Sequence, residues 1–232
     1  MQWFVAQQST ALKKRLGKTL VVFPCHSTDI GSVTSDQELY LKKINSIARR
    51  FDTVLVNAFW WNVDDELIHR FESEGYTIVS AGFRDDINFI RRLRTILELA
   101  DLVVGDSIGT HVGYALALDR PYKFIDVDTS SSVEASSKDA QYYSQTISRQ
   151  IEMSKLFMDD DFDFDFVKRE TDYYWGFSHL KDKESLRQIG EIAIQISKHA
   201  RFRNNRYMEV ACDLVANRLQ AGIDFELLRE AL

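Results

Sequence analysis

The sequence predicts an α/β layer sandwich: one mainly parallel sheet covered by helices, followed by a helical extension. Three observations carry this expectation. Short apolar runs bounded by turn residues alternate with helix-length amphipathic segments through the first half of the chain. Strands separated by helices of this length join through right-handed crossovers, which makes the sheet parallel. After residue 139 the apolar runs stop and only helical spacing remains.

The elements follow in order. "KTLVVFPC" (18–25) is an apolar run ended by Pro24 and reads as a buried strand. "SDQELYLKKINSIARR" (35–50) reads as a helix with Leu39, Ile44 and Ile47 on one face. "DTVLVNAFWW" (52–61) is the second strand. "DDELIHRFESEG" (64–75) is a short helix, with acids at its start and Gly75 after its end. "YTIVSAGF" (76–83) is the third strand. "DDINFIRRLRTILELA" (85–100) carries Ile87, Ile90, Leu93, Leu97 and Ala100 at helical spacing. "DLVVG" (101–105) and "YKFIDV" (122–127) are the fourth and fifth strands, flanking a helix over 109–119. Residues 1–127 thus form a single Rossmann-like domain. Residues 128–232 are expected to be a polar linker (128–139) and a helical extension packed on that domain. Its helices lie within 140–158, 182–202 and 206–220.

Totals bound the function class. The chain has 232 residues, 45% hydrophobic and 28% charged, with a formal net charge of -6; its pI is near 5.4. Non-specific nucleic-acid binding needs a basic surface, so no nucleic-acid partner is expected. Cys25 and Cys212 stand far apart, without metal-ligand or disulfide spacing. No run of about 18 apolar residues occurs, so neither a signal peptide nor a membrane span is expected, and a cytoplasmic protein is.

In an open parallel sheet, ligands bind beyond the carboxyl ends of the strands. Those ends offer Pro24-Cys25-His26-Ser27-Thr28, Asn57 with Phe59-Trp60-Trp61, Ala81-Gly82-Phe83-Arg84, and "GDSIGTH" (105–111). The last is the most informative. A helix starting near Gly109 directs backbone N–H groups and a positive dipole end outward. Ser107 and Thr110 add hydroxyls, and Gly109 permits close approach of an oxyanion. A capped turn would use the same residues, and that reading stays open. Trp60 and Phe83 could stack on a base. His26 and His111 could act as acid or base.

The segments "FPCHST" and "AGFRDDINFIRRLRTILELADLVVGDSIGTHVGYALALDRPYKFI" resemble the C-terminal half of GT-B-type glycosyltransferase-like proteins of bacterial capsule and surface-polysaccharide synthesis. The resemblance covers roughly residues 20–127 and is most specific at Ser107-Ile108-Gly109-Thr110-His111, Gly113-Tyr114 and Pro121. It implies a domain that binds the nucleotide-sugar donor, without a metal cofactor. It places Ser107, Gly109, Thr110 and His111 at the donor phosphates, with His26 and Ser27 across the crevice. Arg84, which follows the third strand beside Gly82, is expected to point into the crevice as a phosphate or carboxylate partner. It also implies glycosyl transfer completed by an acceptor domain. About 17 residues precede the first strand, so that partner is expected from a second chain, as a homodimer or a complex. The family's ribose-binding glutamate is replaced by Tyr114. A second resemblance, to nucleoside deoxyribosyltransferases, rests on "DSIGTHVGYALALDRP"; the catalytic glutamate of that family is absent between Thr110 and Gly113.

The remaining features have plainer readings. Asp161, Asp163 and Asp165 have calcium-loop spacing, but Phe166 stands where the turn needs glycine. An acidic loop over 157–166 with its phenylalanines on the core is expected instead. "KHARFRNNR" (198–206) reads as cations at a helix C-terminus. His69 and His179 read as surface residues. Tyr173, Tyr174 and Trp175 either cover the crevice or pack the extension down. Leu186, Ile189, Ala193, Ile196 and Ala200 form a stripe that suits a core or a subunit interface.

Overall fold

The computed structural model of the chain describes residues 10–26, 31–127, 129–133, 149–158 and 163–199, and side chains in all of these except 31–35, 129–133 and 193–199. The chain divides into two compact units, Met1–Phe177 and Ser178–Leu232.

The first unit contains a five-stranded sheet. Its strands are β1 (Thr19–Phe23), β3 (Thr53–Asn57), β4 (Thr77–Val79), β5 (Leu102–Gly105) and β6 (Tyr122–Phe124). They are ordered β4-β3-β1-β5-β6, and every pairing in this sheet is parallel. β1 is the central strand and is buried along its whole length. That explains its continuous apolar run, since a strand covered on both faces needs no alternation.

Side-chain alternation sends successive β1 residues to opposite cores. Leu20 and Val22 meet α2 (Gln37–Ala48) and α3 (Glu66–Ser73) through Tyr40, Leu41, Ile44, Leu67 and Phe71. Val21 and Phe23 meet α4 (Phe89–Leu99) and α5 (Thr110–Ala117) through Leu93, Leu97, Val112 and Leu116. The sheet is therefore a Rossmann-like layer sandwich, as the alternation predicted. At the amino-terminal edge, Asp101 Oδ2 accepts from the Thr19 backbone N–H at 2.6 Å and from Lys13 of the helix α1 (10–16). This anchors α1 at the end of the sheet remote from the candidate site.

The segments after β6 add to the same unit. Met153 of α6 (149–154), Phe157 and Val167 of α7 (Phe164–Trp175) belong to the core that holds α4 and α5. A Cβ on Gly113 would lie 2.5 Å from the Trp175 ring. The bare backbone of α5 is thus the surface on which Trp175 rests. This settles one alternative for the aromatic cluster: Trp175 packs α7 down, while Tyr173 points into solvent.

Three local expectations are corrected. The polar segment after residue 128 contains β7 (Thr129–Val133), which pairs antiparallel with β2 (Gly31–Ser35) in a separate two-stranded ribbon. "GSVTS" and "TSSSV" lack the apolar run by which the other strands were recognised. α4 begins four residues later than expected. Asp86 first closes a turn by accepting from the Asn88 N–H at 2.7 Å, and Ile87 is left 95% exposed. The acidic stretch becomes a helix start at its described end: Asp163 Oδ1 caps α7 by accepting from the Phe166 N–H at 3.0 Å.

In the second unit, α8 (Lys183–His199) is capped by Asp182, which accepts from the Ser185 N–H at 2.7 Å. Leu186 of its apolar stripe is exposed and Ile192 is buried. The helix expected over 206–220 and most of "KHARFRNNR" lie outside the described residues. Among the described residues no helix is long and apolar enough to cross a membrane.

Candidate functional site

The strand order fixes where a crevice opens. The chain leaves β1 towards α2 on one face and leaves β5 towards α5 on the other. The two connections diverge above neighbouring strands, and such a switch point is where open α/β sheets bind ligands. The tips run in the order Gly82–Arg84 after β4, Asn57–Asn62 after β3, Pro24–His26 after β1, and Asp106–Thr110 after β5.

Asp106 ties the two central tips together. It is buried, and its Oδ1 accepts from the Cys25 N–H at 2.6 Å. Burial raises its carboxyl to about 6, against the opposing pull of that hydrogen bond. Tyr122 donates its hydroxyl to the Ser107 carbonyl at 2.7 Å and so fixes the next residue. Gly105 is required between them: a Cβ there would lie 2.7 Å from the Phe23 carbonyl and 2.8 Å from the Tyr122 hydroxyl. Burial, and secondarily the neighbouring Asp106, push the Cys25 thiol up to about 11. Cys25 is therefore a protonated thiol at neutral pH, unsuited to nucleophilic attack.

The first turn of α5 has the predicted character with a different internal arrangement. Gly109 is its N-cap, in extended conformation at φ -141°, and among the described residues no side chain caps the helix. This backbone conformation is open to any residue; the constraint on Gly109 is space. A Cβ would lie 3.1 Å from His111 Nδ1. Ser107 is half-buried and Thr110 is exposed. Residues 109–111 therefore present backbone N–H groups and the Thr110 hydroxyl, with the dipole's positive end behind them.

The His111 ring turns away from this surface. It stacks on Phe23 at 4.9 Å and 10° and meets Tyr122 edge-on at 5.6 Å. Its Nε2 is sealed, without a hydrogen-bond partner among the described residues. Burial, reinforced by the charge of His26, lowers its pKa to about 4, and a hydrogen bond to the Ser107 backbone only partly opposes this. His111 is thus a neutral imidazole at pH 7. It shapes the turn from below, and its contribution to an anion would come through its main chain.

The other expected residues spread along the sheet edge. His26 stacks on Phe59 at 4.0 Å and 5°, close enough for its charge to disfavour one on His111. Ser27 lies outside the described residues. Trp60 meets Phe83 at 4.9 Å and 87° and Trp61 at 5.1 Å and 70°. Phe83 is half-exposed, so part of this aromatic cluster is open to solvent. The Arg84 side chain is 68% exposed, with Asp85 3.8 Å away. It follows β4, three strand positions from β5, which is roughly 14 Å at the strand tips. Arg92 fills the space beside Gly82 instead. It donates to the Ala81 carbonyl at 2.6 Å and pairs with Asp86 at 3.1 Å. The positive φ of Gly82, +80°, turns the loop so that Arg92 fits beneath it.

Beside β1, on the β3 side, lies a small crevice open to solvent, lined by Cys25, His26, Asn57, Phe59, Asn62 and Asp65 among others. Sequence reasoning passed over Asn62 and Asp65, which sit in a turn beyond an aromatic run.

Strand order defines a Rossmann-like domain with its switch point between β1 and β5, while the crevice lies on the other side of β1, towards β3. No family model, curated protein or solved structure matches the chain.

Proposed function

We propose that this chain binds a nucleotide or nucleotide sugar, as the donor domain of a glycosyltransferase-like protein. The observation that carries the reading is the start of α5: a helix N-terminus without a side-chain cap among the described residues, set at the switch point beside β1. An oxyanion there would accept from main-chain N–H groups and lie at the positive end of the dipole. The exposure of Phe83 supports a base-binding role, and the resemblance of residues 20–127 to GT-B donor domains supports the nucleotide class. Glycosyl transfer would need an acceptor surface facing this edge, from a second copy or another protein. The exposed Trp61 and Phe83 are the apolar residues available to it. Deoxyribosyl transfer is the weaker alternative, because the ring of His111 and the buried Val112 stand where that chemistry needs a carboxylate.

Thr110→Pro tests the phosphate contact. Thr110 is the first helical residue, where proline fits the helix and the preceding extended Gly109 tolerates it. The substitution removes one outward N–H and one hydroxyl. In thermal-shift measurements with nucleoside diphosphates and nucleotide sugars, ligand at about 100 times its dissociation constant stabilises the parent by about 2.7 kcal/mol. Thr110→Pro should lose most of this while keeping its unliganded melting temperature. An unchanged ligand shift in Thr110→Pro would remove α5 from the site.

A further inference from the structure

β4 stands at one edge of the five-stranded sheet and pairs only with β3. The register decides which of its main-chain groups are left over. The Val79 carbonyl accepts from the Ala58 N–H at 2.9 Å, so Val79 bonds towards β3. Successive residues of a strand direct their main-chain groups to opposite sides. Ile78 therefore turns its N–H and C=O away from β3, and among the described residues neither has a partner. At the opposite edge, the turn Lys155–Phe157 lies against β6. Edge strands that stay single are protected by charge, proline, a bulge or a covering element. Thr77-Ile78-Val79 carries neither charge nor proline, and Thr77 is exposed.

The surroundings favour a second copy of the chain over an unrelated strand. If β4 pairs antiparallel with itself about Ile78, the two Ile78 residues exchange both main-chain bonds. The carboxyl end of each strand then lies beside the amino end of the other. Arg84 is six residues beyond Ile78, while Glu72 and Glu74 are six and four residues before it. All three are exposed, so opposite charges would meet at both ends of the pairing. Ile87, 95% exposed, and Phe83, 47% exposed, follow β4 and add apolar surface at the same end. Gly75 offers them room, since nothing lies within 4 Å of where its Cβ would stand.

We infer that β4 is the interface of a homodimer, in which two copies pair β4 antiparallel about a two-fold axis at Ile78 and Arg84 of each meets the Glu72–Glu74 end of the other. The two sheets then become one continuous sheet. The inference does not rest on what the switch point binds.

Sedimentation equilibrium of the full chain, at up to about 100 micromolar, should give about twice the 26.9 kDa chain mass. Hydrogen exchange on the same samples should show the Ile78 amide protected in the dimer and exchanging freely on dilution to the monomer. Arg84→Glu and Glu74→Arg each set like charges together at both ends, and each should weaken the dimer at least about fivefold. Mixed in equal amounts, the two variants should regain the parent's affinity, because the reversed charges match again. Both side chains are exposed, so neither reversal touches the core. A chain that stays near its monomer mass throughout overturns the inference. So does a dimer whose Ile78 amide exchanges as fast as the monomer's, since its interface lies elsewhere. Dimerisation indifferent to both reversals overturns the antiparallel pairing.

Discussion

Replacing Asp106 by asparagine should change how stability depends on pH, by an amount the burial of the site sets. In the folded chain the Asp106 carboxyl is raised from 3.8 to about 6, chiefly by burial. The folded state then holds a proton that the unfolded chain has released. Its stabilising contribution is complete below pH 3.8 and is lost as the pH rises towards and through 6. At about 1.4 kcal/mol per unit, the full change is about 3 kcal/mol. His111 has the opposite sign. Its pKa falls from 6.5 to about 4, so its contribution is complete above pH 6.5 and is lost as the pH falls towards 4. That change is also about 3 kcal/mol. Between pH 4 and 6 the two slopes oppose each other, and the pair contributes a nearly level line. Asp106→Asn keeps an oxygen to accept from the Cys25 N–H but cannot titrate. Urea unfolding, followed by the fluorescence of Trp60, Trp61 and Trp175, measures both proteins at intervals from pH 4 to 7. The parent-minus-variant stability should fall by about 2 kcal/mol from pH 4 to 6.5, the rest of the change lying outside that range. All other titrating groups cancel in that difference. A difference that stays level, or rises with pH, would refute a carboxyl held protonated by burial.

Other expectations follow from the same geometry. Gly113→Ala should destabilise by about 1–3 kcal/mol through overpacking against Trp175, seen as a lower melting temperature. Arg84→Ala should leave unliganded stability within about 0.5 kcal/mol, while Arg92→Ala should cost more, because it frees the Ala81 carbonyl and Asp86. Binding of a nucleotide sugar, whose phosphates do not titrate near neutrality, should vary little between pH 6 and 8 on account of His111; affinity that falls through this range and levels in His111→Asn would show a cationic imidazole. Light scattering at tens of micromolar should report about twice the 26.9 kDa chain mass if the exposed aromatic edge joins two copies, and a value near 27 kDa would count against self-association.

The fold was legible wherever burial writes itself into composition. β1, β3 and β5 are short apolar runs because both faces of each strand are covered. α2 and α4 carry apolar stripes because one face of each is covered. The β2–β7 ribbon carries no such mark, since serines and threonines dominate its strands. Within the site, the residues that start α5 were legible because small residues between a strand and a helix have few other uses. The direction of the His111 ring was not, because it depends on Phe23 and Tyr122, distant in sequence. The choice between Arg84 and Arg92 turned on the backbone of Gly82, which composition does not display. Asn62 and Asp65 are common turn residues. Only their convergence with Asn57, at the end of the strand they follow, and with the tip of β1 around one crevice sets them apart.

The ribbon has a consequence for the order in which the molecule comes together and opens. Its register joins Gly31 to Val133, about 100 residues apart, and the chain between them includes the strands β3 to β6. Closing so long a loop is entropically unfavourable until the sheet already holds the ends near each other. The ribbon is therefore expected to form after the sheet. A two-stranded polar ladder has little stability of its own, so it should also be first to open in native-state hydrogen exchange, ahead of β1. The Cys25–Asp106 hydrogen bond, rooted in the central strands, would outlast such an opening.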